Sequence, residues 1–201
     1  VTSINEYNIV LCGVGGQGTI LASKILAKTA IRKSINCRVG ETHGMSQRGG
    51  SVVSHFRMGQ EVHGAITPLV HGQVMLAFEP VESLRYVSFM KKNGTVVLNT
   101  HPIVPTSVNA GLATYPSTND VKATLEKYPL KVIGFDATKI ASELGSVIAL
   151  NMVILGASAR LEGFPFQANE MIKSIEELVK PQFLDLNVKA FNAGYEKATS
   201  Y

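Results

Sequence analysis

Residues 8–26 read NIVLCGVGGQGTILASKIL, and their interpretation decides the fold. Residues 8–12 are a short apolar run that stops at glycine, the pattern of a buried strand. Residues 19–33 then set Ile20, Leu21, Ile25, Leu26 and Ala30 on one helical face. Residues 36–39 read as a second strand. The opening is therefore strand, glycine turn, helix, strand. A parallel pair joined by a right-handed crossover is the default for such a unit.

The turn itself, GVGGQG at 13–18, spells G-x-G-x-x-G through Gly13, Gly15 and Gly18, with Gly16 and Gln17 at variable places. Glycines at these places permit a tight turn, close approach of a ligand, and close packing of helix on strand. Amides at the helix start can hold a phosphate. Glu41 lies near the end of the second strand, where a ribose-binding acid would sit. From the pattern alone, a nucleotide site and a pure packing device both fit. Two details weigh against the nucleotide: an extra glycine and a long amide occupy positions 16 and 17, and Glu41 opens a polar loop of its own.

Outward from this unit, residues 51–58 alternate Val53, His55 and Arg57 with Val52, Ser54, Phe56 and Met58, as in a half-buried strand. A turn at 59–60 and a short strand are expected next. A buried strand follows at 73–79, a helix from Pro80 to about residue 92, and a strand at 94–100. Residues 101–120 are rich in Pro, Ser, Thr and Asn and read as an excursion from the sheet. A late strand spans 131–138, and helices span 148–161, 167–179 and 184–197. The sum is an α/β fold: one three-layer Rossmann-like domain over 1–201, with a mainly parallel or mixed sheet and a helical C-terminal third.

Composition narrows the function. The chain has 201 residues, 45% hydrophobic and 17% charged, which is globular. Its net charge of +4 comes without a Lys/Arg run, and Trp is absent, so nucleic-acid binding is disfavoured. No apolar run reaches the ~20 residues of a membrane span, and no signal peptide precedes the first strand; a cytoplasmic chain is expected. Cys12 and Cys37 form no C-x-x-C, so neither an iron–sulfur cluster of the usual kind nor a zinc ribbon is expected. His63, His71 and His101 lack metal-ligand spacing, and His55 reads as a strand histidine. No G-x-S-x-G elbow exists. Glu79, before Pro80 at the end of a strand, suits ligand contact or helix capping equally. Asn99, Thr100 and His101 occupy the same edge. Asn151, in an apolar helix, reads as a buried amide bonded to backbone.

The densest polar stretch is GETHGMSQRGGSVVSHFR at 40–57. Gly44, Gly49 and Gly50 free the backbone, while Glu41, Thr42, His43, Gln47 and Arg48 offer an acceptor, a hydroxyl, a titratable ring, an amide and a planar cation. Arg48 can grip a carboxylate or phosphate in bidentate fashion, and Met45 adds an adaptable apolar contact. Such a loop suits an anionic organic molecule or another subunit. A solvated loop with Arg and Glu paired is the plain alternative.

Together, GVGGQGTILASKIL at 13–26, the 40–57 stretch and LAFEPVESLR at 76–85 resemble the gamma-type subunit or domain of the 2-oxoacid:ferredoxin oxidoreductases. The E-T-x-G-M-x-Q-R-G-G-S-V wording is most similar to the small subunit of the indolepyruvate-acting members. The resemblance is clear over about residues 8–105. It implies a part in oxidative decarboxylation of a 2-oxoacid with coenzyme A to an acyl-CoA, carbon dioxide and reduced ferredoxin. The chain has no G-D-G…N thiamine–magnesium motif and no cluster cysteines. The resemblance therefore implies a non-catalytic component, with thiamine diphosphate, magnesium and iron–sulfur clusters in partner subunits. It also places 40–57 against the catalytic subunit. Self-association of the isolated chain is expected, through apolar residues such as Met45, Val52 and Phe56.

Overall fold

The computed structural model describes residues 4–43 and 49–200. The chain order is β1 (Tyr7–Val14), α1 (Thr19–Arg32), β2 (Cys37–His43), β3 (Ser51–Met58), β4 (Gly72–Ala77), α2 (Pro80–Arg85), β5 (Met90–Asn99), α3 (Thr106–Asn109), α4 (Thr118–Leu125), β6 (Lys131–Phe135), α5 (Ala137–Glu143), α6 (Leu150–Ala159), α7 (Ala168–Leu178) and α8 (Pro181–Lys197). One six-stranded sheet runs β2-β3-β1-β4-β5-β6. β1, β4, β5 and β6 are parallel; β3 is antiparallel to both of its neighbours.

The first crossover departs from expectation. β2 does not pair with β1, because β3 lies between them and pairs Val14 with Ser51 and Tyr7 with Met58. β3 is also buried over nearly its whole length rather than on one face. The reason is the segment after it. Residues 61–71 form no strand; they lie across the outer face, held by Arg57, whose guanidinium donates to the carbonyls of Gly64 and Ile66. Arg57 also binds Glu6 and Asn8, so a buried cation is fully partnered. The helix from Pro80 ends at Arg85 and not near residue 92. Tertiary partners take the following residues: the Tyr86 hydroxyl meets Ser51, and the Ser88 carbonyl accepts from Val70.

The larger core packs α1, α5, α6, α7 and α8 on one face of the sheet, around Phe56, Phe78, Phe166 and Phe191. α2 and α4 cover the other face, with Val81 and Leu84 from the first and Val121 and Leu125 from the second, beside Val87 in the turn before β5. α6 is buried from Leu150 to Ser158 and lies against α8 with backbones in contact. A Cβ at Gly156 would collide with the Phe191 carbonyl, and one at Gly194 with that of Val153. Glycine in two helix interiors is thus a condition of this crossing, despite its cost of about 1 kcal/mol each in propensity. None of the described helices is long and apolar enough to cross a membrane.

Val52 and Phe56 are buried, so the expected apolar surface does not include them, and Met45 lies outside the described residues. Phe56 faces α1 and stacks edge-on to Phe166, which consumes it in the core. The exposed apolar side chains are others, among them Ile148, Leu178, Phe183, Ile103 and Leu112.

His55 sits buried in β3, its ring edge-on to Phe89 and its Nδ1 without a hydrogen-bond partner among the described residues. Burial, and then the Arg57 charge, lower its pKa from the ordinary 6.5. The folded state therefore favours neutral imidazole. The unfolded chain protonates first, so stability is retained above 6.5 and lost as pH falls from 6.5 through the lower folded value. Urea midpoints at about pH 7.5 and about pH 5.5 should show this drop, and His55→Phe should shrink it. An equal drop in both proteins would assign it to other groups.

Candidate functional site

The chain leaves β1 through α1 toward β2, and leaves β4 through α2 toward β5. The two crossovers travel in opposite directions and lie on opposite faces of the sheet. The carboxyl ends of β1 and β4 thus flank a topological switch point, the usual place for a ligand crevice in an open α/β sheet. The glycine turn stands on it.

The turn fills that crevice with its own side chain. The Gln17 carboxamide accepts from the Val14 amide at 2.7 Å and donates to the Phe78 carbonyl at 2.8 Å. Gln17 is 5% exposed. Gly13 is required by this plug, since a Cβ there would lie 2.7 Å from Gln17 Oε1 and 2.9 Å from Phe78 Cβ. Gly18 has a left-handed φ of 79°, and a Cβ on it would overlap the Asn151 amide. Asn151 donates to the Gly18 carbonyl at 3.3 Å and accepts from the Met152 amide, which ties the start of α6 to the turn. Gly16 has φ 105° with open space around it. The Gly15 amide donates to the Gly50 carbonyl at 2.8 Å, and Gly49 donates back to Gly15 at 3.4 Å. The amides that would cradle a pyrophosphate, at Val14, Gly15 and Gln17, are already bonded inside the protein.

The structure brings Gly49 and Gly50 against Gly15, so the turn built from Gly13, Gly15, Gly16, Gln17 and Gly18 meets the end of the second motif at one edge. Gly44, Met45, Gln47 and Arg48 lie outside the described residues, as does the side chain of His43. Glu41 and Thr42 sit exposed on β2, the sheet's edge strand. Glu41 accepts from Ser23 of α1 at 3.2 Å and pairs across from Ser54. With β3 intervening, β2 stands about 10 Å from β1, two strand spacings, where a ribose-binding acid would need one.

Glu79 caps α2: its Oε2 accepts from the Glu82 amide at 3.0 Å. Its Oε1 also takes the Ile103 amide at 3.3 Å and the Tyr115 hydroxyl, fastening the 101–116 excursion over the sheet edge. Burial and the Glu79 carboxylate hold the Tyr115 pKa well above its usual 10.0. Glu82 accepts from Ser51 and, at 3.2 Å, from Arg85 Nε. Sequence reasoning assigned no role to Glu82, Arg85, Ser51 or Tyr115. Glu82 stands three residues after Glu79, a visible capping interval, but the Tyr115 bond spans 36 residues and has no local signal. His101 lies 3.5 Å from Asp136, and His71 3.8 Å from Glu6. Cys12 is a buried free thiol whose pKa burial pushes up, with Glu82 and Glu79 adding to it. Among the described residues, no group of three or more His, Cys, Asp or Glu could hold a metal ion.

Gln17→Ala should strand the buried Val14 amide and Phe78 carbonyl and cost about 2–4 kcal/mol of stability. Urea unfolding measures this, and NADH fluorescence should detect no binding before or after the change. Wild-type stability with a gain of nicotinamide binding would make the turn a ligand site that Gln17 merely screens.

The family model described as pyruvate ferredoxin/flavodoxin oxidoreductase matches residues 8–197. The indolepyruvate oxidoreductase subunit IorB of Pyrococcus horikoshii is 45% identical over 196 residues, covering 97% of each chain. The keto/oxoacid ferredoxin oxidoreductase gamma subunit of Geobacter sulfurreducens has the same fold, with a TM-score of 0.72 at 24% identity over 97% of this chain and 99% of that one. The 2-oxoglutarate:ferredoxin oxidoreductase of Magnetococcus marinus matches in fold at a TM-score of 0.75 and 19% identity, over 98% of this chain but 32% of that longer one. A match that takes in nearly the whole chain, joined to close relatives of equal length, means that the chain belongs to the pyruvate ferredoxin/flavodoxin oxidoreductase family.

Proposed function

We propose that this chain is the cofactor-free small subunit of a thiamine-dependent, cytoplasmic 2-oxoacid:ferredoxin oxidoreductase that acts on indolepyruvate or a similar arylpyruvate. That it is a small subunit of a 2-oxoacid ferredoxin oxidoreductase follows from its family and relatives. The substrate, the cofactors and the partner arrangement are the proposal. Its main support is the end-to-end likeness to the Pyrococcus subunit named for indolepyruvate.

In this reading the partner chains hold thiamine diphosphate with magnesium and the iron–sulfur clusters, and supply decarboxylation, acyl transfer to coenzyme A and electron transfer to ferredoxin. Two cysteines cannot furnish the four thiolates of a cluster. The plugged glycine turn argues against a free-standing nicotinamide enzyme.

This chain's own task is then to present an edge. The end of β2 with Glu41, Thr42 and His43, and the stretch after it with Gly44, Met45, Gln47, Arg48, Gly49 and Gly50, face the catalytic subunit or the ligand path. The glycine turn fixes where that loop returns to the sheet, through Gly15 and Gly50. Ile148, Leu178 and Phe183 border a neighbouring apolar groove with Leu21 and Asn151, surface that a permanent partner would cover and that isolated chains would bury by self-association.

Co-expression with the thiamine-binding partner tests the proposal. The two should elute together from gel filtration and oxidise indolepyruvate, while this chain alone should turn over no 2-oxoacid. Within the complex, Arg48→Ala should leave the fold intact and weaken turnover or assembly by about 1.5–3 kcal/mol, with little rescue by Arg48→Lys. Turnover by the isolated chain would contradict the subunit reading. Unchanged kinetics and assembly in Arg48→Ala, with a lower melting temperature, would reduce the arginine to a structural residue.

A further inference from the structure

Beside the Gln17 plug, the switch point opens into a cavity of about 600 Å³. Val14 and Gly49 form one wall, Glu79, Glu82 and Arg85 the floor, and residues 103–108 and 113–116 of the excursion the roof. We infer that this cavity binds a small anionic molecule, a carboxylate or phosphate borne on an apolar body, and that Arg85 grips the anion.

Position comes first. The cavity occupies the crevice at the carboxyl ends of β1 and β4, and its size suits one small ligand. The charges decide the sign. Glu79 is 1% exposed, and its oxygens are taken by the amides of Glu82 and Ile103 and by the Tyr115 hydroxyl. Glu82 is 6% exposed and is engaged by Ser51 and Arg85. Neither acid offers an open oxygen to an entering molecule. The Arg85 side chain is 55% exposed. Its bonds to Glu82 run through Nε, and its two terminal nitrogens have no acceptor among the described residues. A guanidinium held at its base by a buried acid and open at its tips is arranged for a bidentate anion. Among the charged groups that line the cavity, the one open to an entering molecule is therefore the Arg85 guanidinium, although the floor holds two buried carboxylates.

The walls suit the rest of such a molecule. Val81, Ile103 and Val104 supply apolar surface, and Thr106, Ser107 and Thr114 supply hydroxyls. Glu82 is itself positioned by Ser51, the residue after Gly50. The arginine is thereby keyed to the strand that follows the R-G-G motif.

Calorimetric titration of the full chain tests this, with inorganic pyrophosphate and with phenylpyruvate as probes. At least one should bind saturably. A preference for pyrophosphate would identify a phosphate source, and a preference for phenylpyruvate a carboxylate source. Arg85→Gln should weaken binding about tenfold or more, and Arg85→Lys should restore only part of it. Val104→Trp, at an exposed position on the roof, should block the cavity and abolish binding even if Arg85→Gln fails to fold. Absence of binding by either probe up to about 10 mM would overturn the inference. So would affinity unchanged in folded Arg85→Gln or in Val104→Trp. A chain that joins its partner yet binds neither probe sinks this site alone; one that binds a probe but joins no partner sinks the proposed function alone.

Discussion

One carboxamide organises the working edge of this protein. Gln17 spans β1 and β4 by taking the Val14 amide and giving to the Phe78 carbonyl, in a place where neither group could reach water. In a low-dielectric crevice, two satisfied backbone groups are worth far more than two exposed ones, because the alternative is two orphans. Gly13 must be glycine for the carboxamide to fit. The turn it stiffens then becomes the reference point for its neighbours: Asn151 brings α6 to Gly18, and Gly50 brings β3 to Gly15. Gly49 and Gly50, the turn and the excursion thus assemble on one edge of the sheet, while the opposite end carries the Arg57 network.

The same spelling that elsewhere opens a phosphate cradle here closes it. A G-x-G-x-x-G turn supplies free amides only if nothing internal claims them; here the Gln17 side chain takes the Val14 amide, the Gly50 carbonyl takes that of Gly15, and the Val14 carbonyl takes that of Gln17. The proposed anion site lies to one side of the turn, at Arg85, which Glu82 holds at its base. There the excursion is fastened to a single buried carboxylate by the Ile103 amide and the Tyr115 hydroxyl.

Local periodicity made the first strand, the turn and α1 legible, because each depends on residues within one or two turns of chain. The insertion of β3 between β1 and β2 was not legible, since pairing of residues 7–14 with 51–58 leaves no local trace. Covering of Arg57 by residues 61–71, and of His55 by Phe89, was hidden for the same reason. The overlong helix after Pro80 failed where Tyr86 and Ser88 found distant partners. α4 and α5 are short and weakly periodic, yet their starts carry readable caps, with Ser117 and Asp120 reciprocally bonded and Asp136 accepting from the Lys139 amide. Glu79 was legible as an edge residue of two possible roles, and the cap among them is plain in the structure. Arg85 was invisible because its meaning lies in Glu82 and Ser51, which reach it through the fold.

In the proposed assembly the carboxyl edge of the parallel strands is the face turned to the rest of the enzyme. Hydrogen–deuterium exchange of this chain, alone and within the assembled complex, tests it most directly. Protection on assembly should concentrate in peptides covering residues 13–18, 49–51, 101–116 and 144–149, with little change at 59–71. Protection confined to 59–71 and the amino ends of the strands, with the glycine-turn edge exchanging as in the free chain, would contradict it.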